Sequence, residues 1–129
     1  MGDLPTPDPA RREALERGAR AERFVADQLV LDGWAVLARN WRGRGGELDL
    51  VVQRGGCVRF VEVKARSPED PTGLEAITAS KQRRLIRAAE GWLLEQEAPP
   101  EEACFLVAVV AFDRGGWSVE WLDDAFDGG

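Results

Sequence analysis

Histidine and tyrosine are absent from the 129 residues, and cysteine occurs only twice. The first two absences exclude a protein imidazole as general base and a tyrosine as nucleophile. Cys57 and Cys104 show no metal-ligand spacing along the chain, and two cysteines are too few for a disulfide scaffold. Both read as ordinary thiols, and zinc chemistry is not expected without histidine or clustered cysteine. No apolar run approaches the length of a membrane span, and residues 1–10 are polar and proline-rich, unlike a signal peptide. A cytoplasmic protein with no membrane partner is expected.

Positive charge is in deficit overall. Seventeen Lys and Arg face 23 Asp and Glu, for a net charge of −6, which weighs against a general nucleic-acid binder. The deficit is uneven. Residues 11–66 hold twelve Lys or Arg and eight acids, whereas residues 91–129 hold one Arg and nine acids. Phosphate binding is therefore possible in that basic half, without high affinity for ordinary duplex DNA.

The most informative stretch is residues 46–66. Two β-rich runs flank Gly55-Gly56, a dipeptide suited to a tight hairpin because glycine tolerates positive φ. A two-residue turn pairs Arg54 with Cys57, which sets Leu50 opposite Val61, Asp49 opposite Glu62 and Glu47 opposite Lys64. Alternation then puts Leu48, Leu50, Val52, Val61 and Val63 on one face. The other face carries Glu47, Asp49, Glu62 and Lys64, with Val51, Val58 and Phe60 nearer the turn. A slip of one residue would set Leu50 against Glu62 and mix core with charge on both faces. In register, the Asp49 and Glu62 Cβ atoms stand about 4.5–5.5 Å apart. Carboxylates so opposed are destabilising unless a cation lies between them, and a hard divalent ion meets that need. Lys64 follows on the same face.

Asp49 followed by Glu62-Val63-Lys64 resembles the PD-(D/E)xK signature of restriction-endonuclease-like nucleases, with Leu48 in place of the signature's proline. Within that superfamily the chain is similar to the small bacterial YraN family. The shared features are Gly18-x-x-x-Glu22, Arg39-Asn40, Gly46-Glu47-Leu48-Asp49-Leu50, Phe60-Val61-Glu62-Val63-Lys64-x-Arg66 and Lys81. The resemblance implies Mg²⁺ or Mn²⁺ held by Asp49, Glu62 and the Val63 carbonyl, with Glu22 as a direct or water-mediated ligand. It implies that Lys64 orients the attacking water, and that Lys81, on the second helix, reaches the same face. Similarity to the Holliday-junction-resolvase branch implies branched or structured DNA as substrate. A resolvase would act as a homodimer, of which the sequence carries no sign.

Residues 1–10 read as a flexible arm, 11–122 as one nuclease-like domain and 123–129 as an acidic tail. A helix is expected from 9 or 10 to 32, closed by Gly33, with an apolar stripe of Leu15, Gly18/Ala19, Val25/Ala26 and Leu29. Glu22 interrupts that stripe. Either a metal site or a salt bridge to Arg39 or Arg66 would satisfy it. Residues 34–39 read as a strand with Trp34, Val36 and Ala38 on one face. Residues 40–46 read as a loop, either a solvated turn or a segment in which Arg42 and Arg44 touch phosphate and Trp41 stacks on a base.

A second helix is expected over 74–96, stopped by Pro99-Pro100. Lys81 interrupts its apolar seam and, without the resemblance, reads as a lysine snorkelling to water. Arg83, Arg84 and Arg87 form a basic flank, either solvated or phosphate-facing. Arg66 and Arg84 join Arg42 and Arg44 as candidate nucleic-acid contacts. Residues 104–112 read as a strand buried on both faces, and 117–122 as a last strand. The order matches a restriction-endonuclease-like αβββαβ core, an α/β fold whose central mixed sheet is flanked by helices, with one extra C-terminal strand. Three functions fit: a metal-dependent DNA endonuclease, a non-catalytic binding module on a nuclease fold, and a purely structural ion-pair cluster. Glu22, Asp49, Glu62 and Lys64 together favour catalysis, because a binding module has no need of opposed carboxylates.

Overall fold

Asp8 starts the first helix. Its carboxylate accepts the Arg11 amide at 2.8 Å, and Pro9 in the first turn has no N–H in need of an acceptor. Helix α1 runs Pro9–Leu31 and stops at Asp32 and Gly33, the latter at φ 90°. A computed structural model describes residues 8–123 other than 69 and 76. Residues 1–7 of the expected arm and 124–129 of the expected tail therefore lie outside the described residues. Burial along α1 begins at Ala21 and continues through Val25, Ala26 and Leu29. Leu15, expected in the buried stripe, is 61% exposed, and nothing approaches Gly18, so the N-terminal turns run clear of the sheet.

Five strands follow: β1 Ala35–Gly43, β2 Gly46–Arg54, β3 Cys57–Ala65, β4 Glu102–Asp113 and β5 Gly116–Asp123. They lie in the order β1-β2-β3-β4-β5. Neighbours are antiparallel except β3 and β4, which are parallel because helix α2 (Ala79–Leu94) provides the crossover between them. The expected α/β fold is present, a mixed sheet with α1 on one face and α2 on the other. Val25, Leu29, Leu50, Val61, Leu106 and Ala108 form the α1-side core. Val51, Phe60, Leu85, Trp92, Val107 and Val109 form the α2-side core. The alternation of β4 between these two explains its unbroken apolar run. Among the described residues, no helix is long and apolar enough to cross a membrane.

Five local expectations change. Residues 40–46 are not a loop: β1 continues to Gly43 and turns at Arg44-Gly45, both at positive φ (54° and 76°), as a type I′ hairpin requires. Trp41 is half-buried and packs against the α2-side core. Ala38 faces α2 while Trp34 and Val36 face α1, because the β1–β2 register shifts between Val36 and Ala38. Leu48 joins the α2 side, whereas Leu50 and Val52 face α1. Helix α2 begins at Ala79 rather than 74, because the Thr78 hydroxyl caps the Lys81 amide at 3.2 Å.

The turn of the β1–β2 hairpin sits directly on α2. A Cβ at Gly46 would run into the Arg84 carbonyl oxygen and the Ala88 side chain. Gly46→Ala should therefore destabilise the fold by about 1–3 kcal/mol through overpacking. A denaturant titration checks this, and an unchanged midpoint would contradict the close approach.

Candidate active site

The β2–β3 ladder runs from Arg54↔Cys57 to Leu50↔Val61, as the Gly55-Gly56 turn predicts, and ends there. Continued in register, it would set the Val63 amide against Leu48. Instead the Asp49 carboxylate accepts the Val63 amide at 2.8 Å. Each strand stays with its other neighbour: β2 with β1 through Arg42↔Glu47 and Gly43↔Gly46, β3 with β4 through Ala65↔Val110. The two strands thus open as a fork with Asp49 at its base. Across from Asp49, between the pairs Arg39↔Leu50 and Trp41↔Leu48, stands Asn40 in the left-handed region at φ 49°. The same break accompanies the turning of Leu48 to the α2 side.

Glu62 lies just beyond the fork and is only 4% exposed, the one charged residue in the buried core among the described residues. A buried carboxylate is costly unless paired. Its Oε1 faces Lys64 Nζ at 3.3 Å and Lys81 Nζ at 3.5 Å, so Lys81 does reach this face from α2. Asp49 is held far from its ordinary titration. Burial first, and the Glu62 charge second, push its pKa up to about 7, against the Val63 amide and Lys64, which lower it. Glu22, on α1, also has a raised pKa, first from burial and then from Asp49, with Glu47 adding to the effect. A side-chain hydrogen bond from Asn40 and the Arg39 charge act in the opposite direction. Carboxylates from α1, β2 and β3 therefore share one electrostatic neighbourhood.

Other residues sit differently from their sequence expectations. Glu47 does not face Lys64, because β2 has left β3 by that point. It pairs with Arg42 across the β1–β2 hairpin at 3.6 Å. Arg42, Arg84, Lys81 and Glu47 line a cleft of about 530 Å³ beside the fork. Arg44 and Arg66 are directed elsewhere: Arg44 lays its stem beside Gly91 of α2, and Arg66 pairs with Glu120 of β5 rather than with Glu22. Asn40 is the residue sequence reasoning passed over. Its only signal was its place in the Arg39-Asn40 feature.

The profile described as "Uncharacterised protein family UPF0102" matches residues 21–113, a span that contains the whole fork. The chain belongs to the UPF0102 family. The UPF0102 protein gll3754 of Gloeobacter violaceus is 48% identical over 114 residues, covering 84% of this chain and 90% of its own. A UPF0102 protein of Synechococcus sp. is 46% identical over 127 residues, covering 92% and 97%. One from Methylorubrum populi is 43% identical over 125 residues, covering 95% and 98%. The resemblance to YraN proteins is thus the UPF0102 relationship, and it covers most of the chain.

The raised Asp49 pKa has a direct consequence for stability. The folded UPF0102 chain holds this proton more tightly than the unfolded chain. The stabilisation is complete below the ordinary value of 3.8 and is lost as pH rises through about 7. Asp49→Asn keeps an acceptor for the Val63 amide but removes the charge. In chelator, the melting temperature of the variant relative to wild type should climb between about pH 4 and about pH 7, then level off. A pH-independent difference would contradict the raised pKa.

Proposed function

We propose that this UPF0102 protein is a metal-dependent endonuclease hydrolysing phosphodiester bonds in DNA. What carries the proposal is Asp49 beside Glu62 at the fork, with Glu22 close by and two lysines on one Glu62 oxygen. The donors fit a hard divalent ion, because all are oxygens and two of them, Asp49 and Glu62, are neighbouring carboxylates whose burial and mutual repulsion a cation would relieve. Asp49 and Glu62 would hold Mg²⁺ or Mn²⁺, helped by the Val63 carbonyl and Glu22, and the ion would polarise the scissile phosphate and lower the pKa of a bound water.

The chain's own residues would do the rest. Lys64, anchored on Glu62, presents an ammonium where charge develops on the phosphorane oxygens. Lys81 shares that carboxylate oxygen from another element and so orients Glu62. Arg42 and Arg84 border the cleft beside Lys81, where they would hold flanking phosphates. A net charge of −6 disfavours tight binding to plain duplex. A flapped or branched DNA presents more phosphates to one short basic cleft, which makes it the favoured substrate. Resolving a four-way junction would take two copies of the chain.

Millimolar Mg²⁺ or Mn²⁺ should raise the melting temperature of wild type, and the double change Asp49→Asn, Glu62→Gln should abolish that rise. Lys64→Ala should lower cleavage by roughly a hundredfold or more, the scale of one lost electrostatic donor. The metal response and DNA affinity should stay close to wild type, because the lysine acts on charge present only in the transition state. If wild type cuts neither linear, flapped nor four-way DNA with either ion, a non-catalytic binding module replaces the enzyme.

The cleft makes a separate expectation. Arg42→Ala and Arg84→Ala should each weaken DNA binding and lower the salt slope by about one unit per lost phosphate contact. Arg44→Ala should leave both unchanged. Equal effects from all three would mean that DNA does not follow the cleft.

A further inference from the structure

Two thiols that are remote in sequence lie together in the fold. Parallel pairing of β3 with β4 sets Cys57 opposite Glu102 and Arg59 opposite Cys104. Cys57, Glu102 and Cys104 converge, and their ligand atoms all lie within 4.8 Å of one another. The Glu102 amide donates to the Gly56 carbonyl at 3.1 Å, tying the start of β4 to the β2–β3 turn. We propose that Cys57, Cys104 and Glu102 form a zinc-binding site at the start of the β3–β4 pair, separate from Asp49 and Glu62.

The donor set selects the ion. Thiolates favour Zn²⁺, whereas Mg²⁺ takes oxygen ligands. Zn–S bonds of about 2.3 Å in a tetrahedron space the sulfurs roughly 3.8 Å apart. The two sulfurs, already within 4.8 Å, therefore need to close by no more than about 1 Å, within reach of small side-chain rotations. Cys57 and Cys104 are half-buried and Glu102 is exposed, which leaves the fourth position open to water. Both thiols give up their protons on binding, so affinity falls in acid. The ion would clamp the starts of two central strands whose other ends bear on Glu62 and Lys64. This site stands whether or not the chain cuts DNA.

The test uses the full chain, stripped of metal under reducing conditions, with Zn²⁺ and Co²⁺ alone as probes. One Zn²⁺ per chain should bind in competition with a chromophoric chelator, and Co²⁺ should give a thiolate-to-metal charge-transfer band. Cys57→Ser and Cys104→Ser should each cut the band to half or less and weaken Zn²⁺ by more than the roughly 10–100-fold typical of losing an outer-shell partner. Glu102→Gln should weaken Zn²⁺ while keeping the band, and the double variant Asp49→Asn, Glu62→Gln should bind Zn²⁺ at this site as wild type does. Should a serine variant fail to fold, Zn²⁺ should still protect both thiols of wild type from maleimide alkylation. No band in wild type, a band undiminished by loss of either cysteine, or thiols equally reactive with and without Zn²⁺ would overturn the proposal.

Discussion

When β2 leaves β3 beyond Leu50↔Val61, the Val63 amide must find another acceptor, and the Asp49 carboxylate takes it at 2.8 Å. A buried amide without a partner would cost about 1–3 kcal/mol, so this one hydrogen bond makes the fork tolerable. It also fixes where the Asp49 charge sits: beside Glu62, and close enough to Glu22 to raise the pKa of that residue. Between Leu50↔Val61 and Arg54↔Cys57 the ladder joins the two strands. At the fork a side chain does so, and its cost reappears as a displaced titration.

The two helical layers close the site from opposite sides. Helix α1 brings Glu22 and α2 brings Lys81, while β3 carries Glu62 and Lys64 between them. Gly46 lets α2 lie directly on the β1–β2 hairpin, which puts Arg84 and Lys81 around the same cleft as Arg42. The spacing of the basic groups therefore depends on one close backbone approach.

The parallel β3–β4 pair has two chemically different ends. Cys57, Glu102 and Cys104 gather where it starts, a donor set with sulfur. Glu62 and Lys64 lie towards the other end of β3, next to a donor set of oxygen alone. Hard and soft donors are separated by the length of a strand, so the two ends would favour different ions.

Local chemistry determined much of this protein from sequence alone. The Gly55-Gly56 turn and period-2 alternation set the β2–β3 register as far as Leu50↔Val61, and the apolar run of 104–112 marked a strand buried on both faces. Asp49, Glu62 and Lys64 were legible because opposed acids on a hairpin are conspicuous. Tertiary structure decided what happened where a third element competed. The pairing of Glu47 with Arg42 instead of Lys64, the turning of Leu48 to the α2 side, and the left-handed Asn40 all follow from β2 staying with β1 while β3 stays with β4. The meeting of Cys57 with Cys104 was equally out of reach, because it needs a parallel crossover through α2. Turn chemistry and periodicity act over a few residues, whereas the choice between two strand partners depends on the whole sheet.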